Sequence, residues 1–295
     1  MSQFRLYAID DDGPRPLPVP EGATRFADLY HGLPLGAYTA LRTFGHNRFL
    51  YLDRHLARTE RSLALLGIDY ALDEARLRRA LHAVVTAAPW PEMRVRIDVL
   101  AAASETVGRE LIAIQPFTPP PMSLYERGVA VDFAAGTARD NPLAKSADYA
   151  ARRPSSAGLA QLEQTASAPV AEPYELLLLD GRGRILEGTG TNFWAVRDGV
   201  VWTAGEGVLE GVTRAIVLRI IDELGIPLRL EAIDAGATAT LDEAALSGSS
   251  RAFLPVVSIA GQTVGDGRPG PVSRRILAAY NAFVAEHVRP AIPED

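Results

Sequence analysis

One lysine stands out among the residues that could carry chemistry. Lys145 is the single lysine among 30 lysine and arginine residues, so the other 29 (30 less one) are arginines. A guanidinium stays protonated, whereas a lysine amine with a shifted pKa can lose its proton and form a Schiff base. The position of Lys145 therefore supports two interpretations: a residue of a solvated loop, or an amine that carries pyridoxal phosphate.

The second interpretation requires a carboxylate for the pyridine nitrogen and a cluster of phosphate donors. Glu187 ends an apolar run and could supply the carboxylate. Val212 and Thr213 open a predicted helix, where free N–H groups and the helix dipole favour an anion. Ser249 and Ser250 offer further donors. Each feature also has an ordinary interpretation: a surface turn, a capped helix and a serine-rich turn.

Regular elements are predicted to hold these candidates. Residues 36–44 have strand character with Tyr38 on one face, and Asp53 is expected to cap a helix ending near Gly67 that carries Arg58. Arg58 alone could be an exposed helix charge. The remaining patterns predict strands near residues 4–9, 48–51, 128–133, 174–180, 184–187, 191–196, 200–203 and 253–257, helices near 72–87, 211–225 and 272–288, and a helix or loop over 151–167.

The strand predicted over residues 93–99 has two arginines on one face. Its period of two places Arg94, Arg96 and Asp98 together, opposite three valine and isoleucine residues. Adjacent like charges repel unless an anion lies between them. That anion could be Asp98 in a solvent-exposed ion pair of little energetic value, or a substrate carboxylate held by the forks of the arginines. The sequence leaves both interpretations open.

The length and composition of the chain limit the possible classes of protein. With 295 residues it is expected to form two domains, and the prolines of residues 116–122 predict an extended linker between a small domain at 1–115 and a larger one at 123–295. No apolar run approaches the roughly 18 residues of a membrane helix. The N-terminus shows no signal sequence and there are no cysteines, so a cytoplasmic location is expected.

Charge and histidine content exclude further functions. A net charge of −6 without a basic cluster argues against a nucleic-acid partner. Five scattered histidines show no ligand spacing, so no metal site is predicted.

Taken in order, six stretches resemble the class IV aminotransferases, the fold-type IV pyridoxal-phosphate enzymes that include branched-chain and D-amino-acid aminotransferases and aminodeoxychorismate lyase. These stretches are GAYTALR at 36–42, LDRHLAR at 52–58 with Ser62, KSADY at 145–149, LEGTGTNF at 186–193, VLEGVTR at 208–214, and SGSS at 247–250 continuing to Pro255. Each motif is short, but their order spans nearly the whole chain.

The resemblance implies an α+β fold of two domains, with pyridoxal 5′-phosphate in the cleft between them, and a homodimer in which loops of the neighbouring subunit close the site. It implies that Lys145 binds the cofactor covalently and transfers the proton, and that Glu187 contacts the pyridine nitrogen. The other implied cofactor contacts are Arg58, Val212, Thr213 and Ser249 at the phosphate and Tyr149 at the ring hydroxyl. The expected substrate contacts are Tyr38, Arg94, Arg96 and Ser250.

The chain departs from the family pattern at four positions. Tyr149 follows the lysine by four residues, where branched-chain members place theirs five after it, and Asp148 stands where the family often has asparagine. Thr39 replaces the usual acidic residue, and Arg94 replaces a tyrosine. Because the last two changes fall in the substrate half of the pattern, the resemblance specifies the cofactor better than the substrate.

The implied reaction is amino transfer from an amino acid, with branched-chain or other hydrophobic ones favoured, to 2-oxoglutarate or a related 2-oxo acid. A D-amino-acid aminotransferase is the second possibility, and a lyase of the aminodeoxychorismate type is the third. A protein that only binds pyridoxal phosphate, or a solvated lysine with no cofactor, belongs to another class. Lys145 together with a carboxylate and a phosphate cup argues against both, because a binding protein needs no group to move a proton.

Overall fold

The computed structural model of the chain describes residues 3–135, 139, 141–153 and 173–292. Two compact units are present: the first comprises Met1–Thr118, Leu143–Arg152 and Val284–Asp295, and the second Pro119–Pro142 and Arg153–Phe283. The helix or loop predicted over residues 151–167 lies outside the described residues beyond residue 153. The chain thus leaves the first unit inside the predicted linker at 116–122. Residues 143–152 and 284–295 group with the first unit, although the sequence assigned them to the second domain.

The secondary structure mixes helices with mostly antiparallel strands. The first six strands, which all lie in the first unit, are β1 (Arg5–Asp10), β2 (Gly13–Leu17), β3 (Ala37–Arg42), β4 (Arg48–Leu50), β5 (Met93–Ser104) and β6 (Gly108–Pro116). The later strands are β7 (Val129–Phe133), β8 (Glu175–Leu179), β9 (Arg184–Gly188), β10 (Asn192–Arg197), β11 (Val200–Trp202), β12 (Leu228–Arg229), β13 (Ile233–Asp234), β14 (Glu243–Gly248), β15 (Ala252–Ile259), β16 (Gln262–Thr263) and β17 (Val288–Pro290). The α-helices are α1 (Leu52–Leu65), α2 (Glu74–Thr86), α3 (Met122–Arg127), α4 (Ala147–Arg152), α5 (Val212–Glu223) and α6 (Pro271–His287), and 3₁₀ helices cover Phe26–Tyr30 and Ala235–Thr240.

The first unit is built on an antiparallel sheet of five strands in the order β2-β1-β6-β5-β3. Val95 and Ile97 of β5 are fully buried in one core with Leu56 of α1 and Leu81 of α2. The alternation predicted for residues 93–99 is therefore confirmed for its apolar face. Burying this face against two amphipathic helices removes a large apolar area from water, which is the main stabilising term of such a layer.

The start of α1 differs from the prediction. The residue before the helix is Tyr51, which has a left-handed backbone (φ 50, ψ 52) and makes no side-chain cap bond. Asp53 lies in the first turn instead, where its charge still complements the helix dipole. The predicted Asp53 cap is therefore wrong. Helix α2 does have an acidic cap, because the Asp73 carboxylate accepts a hydrogen bond from the Arg76 backbone N–H at 2.9 Å.

The second unit contains a sheet with the strand path β12-β11-β10-β14-β15-β7-β8-β9-β13, and β16 pairs with β15. An additional pairing of Asn192 in β10 with Glu187 in β9 closes six of these strands into a ring. Strand β7 is parallel to both of its neighbours, and the ring is otherwise antiparallel. The closure places Glu187 and Asn192 directly opposite each other.

No helix in the described part of the chain combines the length and apolar character needed to span a bilayer. Across the same residues, no group of three or more histidine and acidic side chains is placed to hold a metal ion.

Candidate active site

Backbone hydrogen bonds hold the Lys145 segment beside strand β3. The Tyr38 N–H donates to the Lys145 carbonyl at 3.1 Å, and the Ala147 N–H donates to the Gly36 carbonyl at 2.8 Å. On the other side, the Lys145 N–H donates to Ser62 Oγ of α1 at 3.1 Å. The backbone of the lysine is therefore fixed to both a strand and a helix of the first unit, which is unlike the solvated loop of the alternative interpretation.

The side chain of Lys145 lies against an aromatic ring. Its Nζ is 4.7 Å from the centroid of the Tyr38 ring, and the Arg96 guanidinium carbon is 4.3 Å from the same centroid. Tyr38 is 6% exposed. Cations are attracted to the faces of aromatic rings at such distances. The structure thus brings Lys145, Tyr38 and Arg96 together within the first unit.

Arg96 forms a buried ion pair with Asp98. Its Nε donates to Asp98 Oδ2 at 2.8 Å and its Nη2 to Oδ1 at 2.7 Å, and the two residues are 5% and 1% exposed. The Tyr30 ring contacts the guanidinium from 4.4 Å. Burial alone would lower the pKa of Arg96, but the charge and hydrogen bonds of Asp98 outweigh it and raise that pKa. The interpretation that Asp98 forms a solvent-exposed ion pair is therefore wrong for Arg96, because this pair is buried.

Arg94 shares the face of Arg96 but has different neighbours. The Arg94 guanidinium carbon is 5.3 Å from the centroid of the Phe117 ring. Arg42 lies opposite Arg94 in the β3–β5 pairing, and its guanidinium carbon is 5.1 Å from the same centroid. The two arginines predicted to grip one anion therefore pack against different rings.

Arg58 is buried on α1 rather than exposed. It is 5% exposed, and its Nη2 donates to Thr39 Oγ1 of β3 at 2.9 Å. Thr39 Oγ1 is in turn 2.8 Å from His55 Nδ1. Burial lowers the pKa of Arg58 to about 10. Burial and the charges of Arg58 and Lys145 hold the pKa of His55 well below its ordinary value.

The surroundings of Arg58 fit an anionic ligand. Among the described residues, no carboxylate pairs with Arg58, and its buried Nε has no hydrogen-bond partner. A buried charge is costly unless an opposite charge or hydrogen bonds compensate it. A phosphate group would supply both, since arginine binds phosphate through parallel N–H bonds. The predicted role of Arg58 as a phosphate ligand thus agrees with its environment.

The second unit presents a helix N-terminus and a serine turn. Gly211 precedes α5 without a side-chain cap, and Val212 and Thr213 in the first turn are buried. The first N–H groups of an α-helix have no partner within the helix, so they can bind an anion. A Cβ on Gly211 would displace the Asn192 side-chain oxygen, so glycine permits this close approach. Ser249 and Ser250, both half-buried, occupy the turn between β14 and β15.

Glu187 is a buried carboxylate with several donors. It is 3% exposed, and its Oε2 accepts from the Leu209 N–H at 3.1 Å and from Asn192 Nδ2 at 3.4 Å. Arg139 Nη1 donates to its Oε1 in a buried salt bridge. The sequence did not predict Arg139, because nothing local links residues 48 positions apart. Glu187 is therefore not the surface turn residue of the ordinary interpretation.

Tyr149 lies in α4, one turn after Lys145. Its backbone N–H donates to Ser146 Oγ at 3.4 Å, and its phenol oxygen is buried. Its contact with the cofactor ring stays a prediction.

The chemistry of the described groups is divided between the units. The first unit holds an amine, an aromatic ring and a buried arginine free of carboxylate partners among the described residues, a set suited to a carbonyl and an anion. The second holds a buried carboxylate and a helix N-terminus, suited to a protonated ring nitrogen and an anion. These are the chemical groups that pyridoxal phosphate requires: an amine, phosphate donors and a carboxylate. The residue types present therefore fit that cofactor.

Sequence comparison finds relatives along most of the chain. Residues 36–259 match the sequence profile of the family described as amino-transferase class IV. The D-alanine aminotransferase of Bacillus licheniformis is 26% identical over 257 residues, which cover 85% of this chain and 88% of that protein. The branched-chain-amino-acid aminotransferase of Escherichia coli strain K12 is 38% identical over 108 residues, which cover 36% of this chain and 35% of that protein.

Solved structures share the fold. The branched-chain aminotransferase of Thermoproteus uzoniensis with norvaline matches with a TM-score of 0.72 at 23% identity, covering 98% of this chain and 99% of the other. The branched-chain amino acid aminotransferase of Escherichia coli matches with a TM-score of 0.71 at 21% identity, covering 95% of this chain and 93% of the other. The predicted α+β, fold-type IV architecture is confirmed.

Proposed function

Because the chain belongs to the class IV aminotransferases, we propose that it transfers an amino group between an amino acid and a 2-oxo acid with pyridoxal 5′-phosphate as cofactor. The proposed donors are branched-chain or other hydrophobic amino acids, and the proposed acceptor is 2-oxoglutarate or a related 2-oxo acid. The observation that carries this proposal is that the sole lysine and the buried Arg58 are both held against helix α1, through the same Ser62 hydroxyl. Ser62 Oγ donates to the Arg58 carbonyl at 2.8 Å and accepts from the Lys145 N–H at 3.1 Å.

The proposed roles follow from the chemistry of each side chain. When bound, pyridoxal phosphate supplies an electron sink for the negative charge left on the substrate Cα. Lys145 Nζ is the amine that would hold the cofactor. Once the substrate amine has replaced it there, the free Nζ would accept the Cα proton and later donate it. The centroid of the Tyr38 ring is 4.7 Å from this amine, so the ring attracts the amine when it is protonated. The proposed phosphate ligands are Arg58, Val212, Thr213 and Ser249, and Tyr149 is proposed to contact the ring hydroxyl.

Glu187 is proposed to hold a proton on the pyridine nitrogen. A buried carboxylate beside that nitrogen favours the protonated ring, which withdraws electrons more strongly. The hydrogen bonds of Leu209 N–H and Asn192 Nδ2 fix the Oε2 atom, and Arg139 bonds to Oε1. These three donors orient the carboxylate before the cofactor arrives, so little reorganisation is needed on binding.

The substrate contacts Tyr38, Arg94, Arg96 and Ser250 stay predictions. Asp98 already occupies Nε and Nη2 of Arg96. A bidentate grip on a substrate carboxylate along that edge would have to break the ion pair, which is unfavourable in a buried site. This geometry supports a hydrophobic substrate side chain over an acidic one near Arg96.

A D-amino-acid aminotransferase is the second candidate. The similarity to the D-alanine aminotransferase of Bacillus licheniformis extends over 85% of this chain, whereas that to the branched-chain enzyme of Escherichia coli covers 36%. The longer alignment supports the D-specific alternative, and the higher identity of the shorter one supports the branched-chain candidate.

A single-turnover absorbance experiment tests the function and the handedness together. The holoenzyme is mixed with L-leucine, L-glutamate, D-alanine or D-glutamate, and the cofactor spectrum is followed through the amino-donor half-reaction. Conversion to the aminated cofactor with L-leucine supports the favoured candidate, and conversion only with D-amino acids supports the second. Absence of conversion with all four donors would contradict the proposed reaction. Light scattering on the same sample tests the proposed homodimer.

A further inference from the structure

We propose that Thr39 and His55 are positioning residues for Arg58, which orient its guanidinium for phosphate without neutralising its charge. The inference rests on the proposed function, because Arg58 is a phosphate ligand only if the chain binds pyridoxal phosphate. Thr39 offers Arg58 a hydroxyl and no charge.

The three side chains form a continuous, buried hydrogen-bond chain. His55 and Arg58 are three residues apart on α1 and therefore lie on one face of the helix. Thr39 extends from β3 and lies 2.9 Å from Arg58 Nη2 and 2.8 Å from His55 Nδ1. Thr39 is 0%, His55 3% and Arg58 5% exposed. With so little solvent access, these polar atoms depend on protein groups or a bound ligand for their hydrogen bonds.

The direction of each hydrogen bond follows from the donors available. Arginine only donates, so Thr39 Oγ1 accepts from Arg58. The hydroxyl of Thr39 has one proton to give, and among the described residues His55 Nδ1 is its sole acceptor. If His55 Nδ1 carried a proton instead, the Thr39 proton would be buried without an acceptor. The low pKa of His55 agrees with a neutral ring protonated at Nε2.

This arrangement explains how Arg58 can be oriented and still bind an anion. A carboxylate at position 39 would pair with the guanidinium and compete with an incoming phosphate. A hydroxyl whose own proton is taken by His55 offers Arg58 an oxygen lone pair and no charge. The guanidinium remains protonated at neutral pH, with a pKa of about 10, and its Nε has no partner among the described residues.

The test measures ligand binding by the full-length chain, from which the bound cofactor is first removed. Three ligands are titrated: pyridoxal phosphate, inorganic phosphate and pyridoxal, which lacks the phosphate. Thr39→Val keeps the branched shape but removes the hydroxyl. The Kd of this variant for the two phosphate-bearing ligands should rise about tenfold, because one charge-assisted hydrogen bond that orients Arg58 is lost. Its Kd for pyridoxal should change less than about twofold. Thr39→Ser should restore wild-type values.

A second buried threonine supplies the matched control. Thr43 is 0% exposed, and its Oγ1 accepts the Met93 backbone N–H at 2.9 Å. Thr43→Val removes a comparable hydrogen bond outside the Arg58 network, so all three dissociation constants should stay as in the wild type. The wild-type protein gives an independent measurement, because ¹⁵N chemical shifts should show His55 protonated at Nε2 and unprotonated at Nδ1.

Three results would overturn the inference. The first is unchanged phosphate affinity in Thr39→Val. The second is an equal loss of pyridoxal and pyridoxal phosphate affinity, which indicates a purely structural role. The third is a His55 ring protonated at Nδ1. Arg58→Gln separates these failures from that of the proposed function: if this variant also binds pyridoxal phosphate as the wild type does, the phosphate role of Arg58 itself is wrong.

Discussion

Replacing Asp98 by asparagine should destabilise the protein strongly, because it leaves the charge of Arg96 buried without a counter-charge. The two side chains are 6% and 1% exposed, and the pair is held by two bonds of 2.7 and 2.8 Å. Removing one partner of such a pair typically costs about 3–5 kcal/mol. The rings of Tyr30 and Tyr38 retain part of the attraction, each worth about 1–2 kcal/mol at a desolvated site. We therefore expect a loss near the lower end, about 3 kcal/mol.

Chemical denaturation of the holoenzyme measures this loss. The midpoint of each transition is compared between variants, because a chain of two units need not unfold in one step. The control is Glu223→Gln, which breaks the exposed pair of Arg219 and Glu223, whose side chains are 54% and 50% exposed. Exposed pairs contribute about 0–1 kcal/mol, so the control should unfold nearly as the wild type does. The double variant Arg96→Met with Asp98→Leu should recover most of the loss, since no buried charge remains.

The reasoning is refuted if Asp98→Asn and the exposed-pair control unfold at the same denaturant concentration. The same variant also examines the substrate role of Arg96. With Asp98 uncharged, the fork of Arg96 is available to a carboxylate, so the KM for 2-oxoglutarate should fall relative to that for a monocarboxylic oxo acid. An unchanged ratio of these KM values would assign Arg96 to the structure of the unit rather than to the substrate.

Three further predictions concern the site. Borohydride reduction followed by peptide mapping should place the cofactor on Lys145, and Lys145→Ala should lose transamination; normal turnover in that variant would contradict the assignment. Glu187→Gln should slow Cα proton removal by about 10²–10⁴ with a smaller effect on cofactor affinity; normal turnover at saturating cofactor, with weakened binding, would make Glu187 a binding residue instead. Because the pKa of His55 is held well below 6.5 by burial and by Arg58 and Lys145, the unfolded chain takes up the proton first, so the free energy of unfolding should fall as pH decreases below about 6.5. His55→Gln should reduce this slope in denaturant titrations, and an equal slope would show that His55 is not its source.

Local sequence patterns predicted most of the fold. The alternation around Val95 and Ile97 identified a strand with one buried face, and the apolar spacing after Gly211 identified α5. Seven strands were not predicted: β2, β6, β12, β13, β14, β16 and β17. All of them except β6 have six residues or fewer, and β6 carries only four consecutive apolar residues without alternation. The Asp53 cap failed because α1 is preceded by Tyr51, two residues before the predicted cap. The left-handed backbone of Tyr51 is set by tertiary packing and leaves no mark in the sequence.

The site was predictable where a residue type implies its chemistry, and unpredictable where its surroundings decide. Lys145 and Arg58 were proposed from residue type and family pattern, and both have surroundings that agree with their proposed roles. Burial of the Arg96–Asp98 pair was not, because the covering ring of Tyr30 comes from a 3₁₀ helix over 60 residues earlier in the chain. The Arg139 contact with Glu187 was missed for the same reason, since its partner is 48 residues away.

The order of residues along the chain also concealed which unit carries the amine proposed to react. Lys145 is flanked on both sides by residues of the second unit, yet its backbone bonds to Tyr38 and Ser62 of the first. Ser62 joins the two proposed functions directly, because one hydroxyl accepts from the Lys145 N–H and donates to the Arg58 carbonyl. The spacing between the proposed Schiff-base lysine and the proposed phosphate arginine is therefore set by a single helix turn of α1. An amine whose backbone position is fixed in this way needs only its side-chain torsions to move a proton, which is the preorganisation that acid–base catalysis favours.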